Sequence, residues 1–337
     1  MKPELLKLLE KNLSDTLKHA FIHGSENPAL LIYDEQSSVA KILSKSYQNI
    51  LPQAQCLIFE SSQAEKILEQ INQIPPHSLV VLIQSTSFRL NEFRFRIELF
   101  KRNLKVLEHV HLGRISEEEF PIFVDSMAYD PDYYRTLGPR LKKKMDACKT
   151  IRLIGPNSEL IYDSPFEDSK LNIGDYSQMK NVGGQFPIGE VFSEAKNLHA
   201  VNGSLELFAY GGNDFDVIVP AQSFQIKVEN GIITDASHAP EDFKAILEKV
   251  KEHEGKVWIR ELGFGLNRAF TKARRVTDIG TYERMCGIHI SMGAKHAMYT
   301  KEGFPKKQCK YHIDIFPDVK KVLIDEEAVF EDEKYII

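Results

Sequence analysis

Short apolar runs separated by helical patterns set the rhythm of roughly the first 115 residues. The runs are ALLIYD at 29–34, CLIFE at 56–60, LVVLIQ at 79–84 and VLEHVHL at 106–112. Buried parallel strands joined by crossover helices produce this pattern, because a strand covered on both faces is apolar throughout. Between the last two runs, Leu90, Phe93, Ile97, Phe100 and Leu104 recur at spacings of three and four. That predicts an amphipathic helix, with Arg94, Lys101 and Arg102 on its solvated face. No GxGxxG follows the first run and no GxxxxGK[ST] occurs, so this half carries no dinucleotide or P-loop signature.

The texture changes after the basic stretch RLKKKMDACKTIR at 140–152, which reads as a solvated helix end more readily than as a phosphate site. Alternating positions then predict strands, as in SLELFAY at 204–210. FQIKVENGII at 224–233 is two alternating runs joined by Asn230-Gly231, a strong hairpin signal. EDFKAILEKVKEH places Phe243, Ile246, Leu247 and Val250 on one helix face, and KVWIRELGFG reads as a further strand. The expected organisation is an α/β domain at 1–150, with a parallel sheet and crossover helices, followed by an α+β domain at 151–337 that carries the candidate chemistry.

A chain of 337 residues suits two domains, and 42% hydrophobic residues describe an ordinary globular protein. The formal charge of −5 gives no global drive toward nucleic acid or an anionic membrane. The N-terminal MKPELLKLLEKNLSDTLKHAF is interrupted by charge every few residues and does not read as a signal peptide. No run approaches the roughly 20 apolar residues of a membrane span. Cys56, Cys148, Cys286 and Cys309 lack CxxC spacing. The expectation is a cytoplasmic protein with reduced thiols and neither a nucleic-acid nor a membrane partner.

Candidate chemistry lies in four C-terminal stretches. They are GGQFPIGEVFSE at 183–194, RELGFGLN at 260–267, ERMCGIHISMG at 283–293 and YHIDIF at 311–316. Glu190 interrupts an apolar, turn-prone segment, and Glu261 ends a strand-like run; alone, each reads as an exposed acid. His289 stands between two isoleucines and, alone, reads as a hydrogen-bonded core histidine. His312 and Asp314 are two apart and leave a strand by one face, which fits either an exposed polar pair or metal ligation. Together, three carboxylates and two imidazoles suffice for two neighbouring divalent metals, one polarising a carbonyl while the other generates hydroxide. Without a cation, converging carboxylates would repel and raise one another's pKa.

The order P-x-GEVF, ELGFGLN, E-x-x-x-G-x-HIxxG and HxD resembles the aminopeptidase T and aminopeptidase S family of two-metal exopeptidases, with its leucyl-aminopeptidase-like relatives. The resemblance spans most of the chain. It implies a metalloprotease-type hydrolase that cuts peptides from the N-terminus, and a homodimer with active sites facing an enclosed cavity. It also implies that Glu190, Glu261, His289, His312 and Asp314 bind two divalent cations, zinc, cobalt or manganese. Glu283 matches an acidic position in the third motif and is a candidate partner to a ligand or general base. Family peptidases place a tyrosine several residues after the motif histidine. Here that region is GAKHAMY, with His296 as a candidate proton donor or oxyanion partner, or a surface residue. Ring-opening dioxygenases of the dihydroxypyridine type resemble the same family and bind one ferrous ion through two histidines and an aspartate. His289, His312 and Asp314 would suffice for that alternative, which needs neither glutamate.

Overall fold

A computed structural model describes residues 2–59, 64–90, 93–294, 299 and 311–337. The chain forms two compact units, one comprising 1–134, 172–188 and 273–281, the other 135–171, 189–272 and 282–337. Where the sequence suggested one boundary near residue 150, the units change over after Tyr134 and the chain crosses back twice. The returning segments explain this, because both are bound into the first unit. Gly183–Gln185 joins its sheet as a strand, the Tyr129 hydroxyl donates to the Ile173 carbonyl at 3.1 Å, and buried Asp278 pairs with Arg114 at 3.0 Å.

The first unit is built on a five-stranded sheet in the order Gly183–Gln185, Lys105–His109, Leu79–Ile83, Ala29–Tyr33, Gln55–Ile58, every pairing parallel. The α/β reading thus holds, with helices Ser38–Ile50, Ala64–Gln73 and Phe95–Lys101 in the crossovers. All five residues of Ala29–Tyr33 and of Leu79–Ile83 are buried, which is why these strands are apolar without alternation. One cluster joins Leu30, Ile32, Val80, Leu82 and Val106 of the sheet to Ile67, Ile71, Phe95 and Leu99 of the helices. The helix expected across residues 90–104 is shorter than its periodicity. Arg89–Leu90 pairs instead with Phe93–Arg94 as a small antiparallel ribbon, and only Phe95–Lys101 is helical. Asn103, at φ 56°, adopts the left-handed conformation that ends a helix, and it releases buried Leu104 into the approach to the next strand.

Among the described residues, the second unit carries a fourteen-stranded, predominantly antiparallel sheet. The Asn230-Gly231 hairpin forms as expected, both residues at positive φ, between Phe224–Glu229 and Ile232–Asp235. Helix Glu241–Glu254 buries Phe243, Ile246 and Val250. Four neighbouring strands position the candidate chemistry, in the order His312–Pro317, Gly287–Gly293, Ile259–Gly265, Glu190–Glu194. No helix among the described residues is long and apolar enough to cross a membrane.

Candidate metal centre

Strand alternation and register put the five proposed ligands on one face of those four strands. Residues opposite one another in an antiparallel pair share a face, and so do residues two apart. Glu190 lies opposite Gly265, Gly263 opposite His289, and Ser291 opposite Asp314, while His312 is two before Asp314. Glu261, two before Gly263, follows the same parity. The intervening Leu262, Ile288, Ile290, Ile313 and Ile315 belong to the opposite face, and all except half-buried Ile313 are fully buried. The sheet therefore hides apolar residues on one side and gathers carboxylates and imidazoles on the other.

The gathering is tight and dry. Glu190, Glu261, His289 and Asp314 are each no more than 5% exposed. One ligand atom from each of Glu190, Glu261 and His289 lies within 4.8 Å of the others. His289 Nε2 stands 3.2 Å from Glu190 Oε1 and 3.8 Å from Glu261 Oε1, and His312 Nε2 stands 3.3 Å from Asp314 Oδ1. The His312 side chain keeps 37% of its surface exposed, so the cluster meets solvent at that end. Two backbone-linked contacts set the geometry. The Glu261 amide donates to the Ser291 hydroxyl at 3.1 Å, and His312 Nδ1 lies 3.4 Å from the Ala294 carbonyl oxygen, leaving Nε2 toward Asp314. Gly263 completes the arrangement, because a Cβ there would overlap the His289 ring.

Charge inside the cluster is balanced by protons. Burial alone would drive the His289 imidazolium to lose its proton, yet Glu190 and Glu261 outweigh burial and raise its pKa to about 10. Burial acts likewise on His312, and Asp314 more than offsets it, to about 9. Burial would raise Glu190 and Asp314; instead both are lowered, Glu190 chiefly by His289 and then Arg284, Asp314 chiefly by His312. Even so, among the described residues Glu261 Oε2 and His289 Nδ1 are buried without a hydrogen-bond partner, and His289 Nε2 and Asp314 Oδ1 have only the ion-pair contacts given above. Such orphaned atoms are rare and costly, and a cation satisfies them. The donor set of carboxylate oxygens and imidazole nitrogens fits a divalent metal cation.

The remaining sequence candidates fall differently. Glu283 is bound to Arg284, whose guanidinium is 3.9 Å from Glu190 Oε2, so Glu283 stands one side chain behind the cluster. His296 lies outside the described residues. Tyr299 is buried with its hydroxyl 3.3 Å from the Asp168 carbonyl oxygen. Sequence reasoning missed Arg284, Ser291 and Gly263. The signals were present, since Arg284 adjoins Glu283, Ser291 is two after His289 and Gly263 two after Glu261, but register alone shows what they face. A further buried ion pair, Arg260 with Glu194 at 3.7 Å, also escaped it; Glu194 lies opposite Glu261.

No family model matches the sequence, and no curated protein matches it. Among solved structures, the chain is similar to wild-type AmpT from Thermus thermophilus, with TM-score 0.61 and 10% identity over 98% of this chain and 99% of that one. A likeness to serine palmitoyltransferase from S. paucimobilis covers 30% of this chain and 25% of that one, at 19% identity and TM-score 0.20, too low to bear on the fold. The two-unit architecture, a parallel sheet with helices and a separate antiparallel sheet, is thus an AmpT-like fold.

Proposed function

We propose that the chain is a metal-dependent aminopeptidase that removes N-terminal residues from peptides at a two-cation centre of Glu190, Glu261, His289, His312 and Asp314. The observation that carries this reading is the convergence of two buried glutamates on His289 with orphaned donor atoms between them. The AmpT-like fold supports it, AmpT being an aminopeptidase T. When bound, the cations supply Lewis acidity and lower the pKa of a water. The chain's own part is to hold the donors. Glu190 and Glu261 supply the negative charge, Ser291 fixes the strand at Glu261, and the Ala294 carbonyl orients His312. Bound as it is to Arg284, Glu283 acts through that guanidinium on Glu190 rather than as a general base. The same resemblance carries the proposal of a homodimer, which light scattering tests.

The mononuclear ferrous alternative uses His289, His312 and Asp314 and leaves the two buried glutamates without a role, which favours the peptidase. Chelator-stripped protein should cleave members of a peptide library from the N-terminus once zinc, cobalt or manganese is restored. No cleavage with any of them, together with ferrous-dependent oxygen uptake on an aromatic diol, would select the dioxygenase instead.

A further inference from the structure

We propose that Arg284 is a positioning residue that reserves one oxygen of Glu190 and places a fixed positive charge beside it, so that the centre holds one divalent cation tightly and a second weakly. This rests on the metal-dependent reading above.

The backbone brings Arg284 to Glu190. Gly265 is the register partner of Glu190, and a Cβ at Gly265 would collide with the Arg284 and Met285 backbone. Glycine at that position lets the 284–285 segment pass against the strand, and the Asn267 amide holds it there by donating to the Arg284 carbonyl at 2.9 Å. The side chain, 7% exposed, then sends Nη1 to Glu283 Oε1 and leaves Nη2 3.9 Å from Glu190 Oε2.

The two oxygens of Glu190 thereby have different neighbours. Oε1 faces His289 Nε2 at 3.2 Å and belongs to the group formed with Glu261; Oε2 faces the guanidinium. A carboxylate that bridges two cations through both oxygens needs each of them free, and here Oε2 is opposed by a cation that cannot lose its charge. Glu283 offsets part of that charge by binding Nη1, but it is the Nη2 end that faces Glu190 Oε2. The first ion therefore finds Glu190 Oε1, Glu261 and His289. A second, toward His312 and Asp314, enters against both the first ion and Arg284.

Zinc titration of the chelator-stripped full-length protein, by calorimetry at fixed pH with elemental analysis of the products, tests this. The parent should show one tight step and a second weaker by about tenfold or more. Arg284→Met should tighten the second step by about tenfold, whereas Arg284→Lys, which keeps the charge, should follow the parent. Glu283→Gln, which removes the competing anion, should weaken the second step further. Two equal steps in the parent, or a second step that moves in neither Arg284→Met nor Glu283→Gln, would overturn the proposal. Should Arg284→Met fail to fold, Glu283→Gln decides alone. A folded parent that binds no zinc, cobalt or manganese defeats the metal-dependent reading itself, whereas bound zinc with an insensitive second step defeats only the role of Arg284.

Discussion

His109 and His289 are buried to the same degree, each on a strand, one in the parallel sheet of the first unit and the other in the antiparallel sheet of the second. Their acidities are driven in opposite directions. Around His109 the partners are neutral, the Tyr47 hydroxyl 2.8 Å from Nε2 and the Phe186 carbonyl oxygen 3.3 Å from Nδ1. Nδ1 must carry the proton to meet a carbonyl, so Nε2 accepts from tyrosine and both nitrogens are satisfied without charge. Burial then lowers the pKa to about 3, with the Phe186 carbonyl opposing weakly. Around His289 the partners are carboxylates, burial is outweighed, and the pKa rises to about 10. A buried histidine is thus a core residue or a candidate ligand according to the charge its neighbours bring.

Removing each side chain should separate the two cases most widely. His289→Ala or Asp314→Ala should lower metal content and reduce peptide cleavage by about a hundredfold or more, with circular dichroism unchanged. His109→Ala should leave metal content alone and destabilise the fold by about 2–5 kcal/mol, through a cavity and a stranded Tyr47 hydroxyl. Metal analysis and denaturant melts on the three variants check this. Metal loss in His109→Ala, or retention in His289→Ala, would break the comparison.

Opposite pKa shifts imply opposite pH slopes. For His109 the folded pKa, about 3, lies below the unfolded value of 6.5, so the unfolded chain binds the extra proton and stability falls as pH drops from 6.5 toward 3. His109→Leu should flatten part of that acid slope, though not all, because burial also lowers His23 to about 4. For His289 in metal-stripped protein the folded pKa, about 10, lies above the unfolded value, so its contribution is present below 6.5 and fades as pH climbs toward 10. Saturating zinc should remove that alkaline slope, since a metal takes the place of the proton. Melting temperatures from pH 4 to 10, with and without zinc, give both slopes. His312, raised to about 9, adds to the same slope, so an alkaline slope indifferent to zinc would mean that neither histidine is a ligand.

Much of this contrast was legible in the chain. The first unit's strands were readable because burial on both faces leaves LVVLI and ALLIY apolar throughout. The five ligand candidates stood out only together, through the motif order that resembles the aminopeptidase T and aminopeptidase S family, since each alone reads as an exposed acid, a core histidine or a surface pair. Long-range pairing hid the rest. The Gly183–Gln185 strand carries no β signal of its own and exists by docking beside Lys105–His109. Arg284 follows an acid in an ordinary polar dipeptide, and its place beside Glu190 depends on Gly265 lying opposite that residue.

Gly263→Ala sharpens the comparison from the ligand side, with no donor atom altered. Its Cβ would overlap the His289 ring outright, so the ring must shift bodily, which loosens a ligand candidate without removing it. Zinc affinity should fall by about tenfold to a hundredfold, the range seen when residues that orient ligands are changed. Calorimetric titration checks it. Unchanged affinity would mean that the ring can move aside at no cost to binding.

The smallest effect tests the alternation from which the site was built. Ile313 lies between His312 and Asp314 but opposite Met292, on the apolar side of the sheet, and is itself only half-buried. Ile313→Val removes one methylene from that side and should cost about 0.5–1.5 kcal/mol, at the lower end because burial is incomplete. Zinc affinity should not change, since neither ligand atom touches the removed group. Asp314→Ala, one residue along, should do the reverse, losing metal while keeping secondary structure. Denaturant melts and zinc titrations on the two variants place adjacent residues on opposite faces or refute that placement. If Ile313→Val weakened zinc as Asp314→Ala does, the strand register between 287–293 and 312–317 would be off by one residue, and the shared face of the five ligand candidates would go with it.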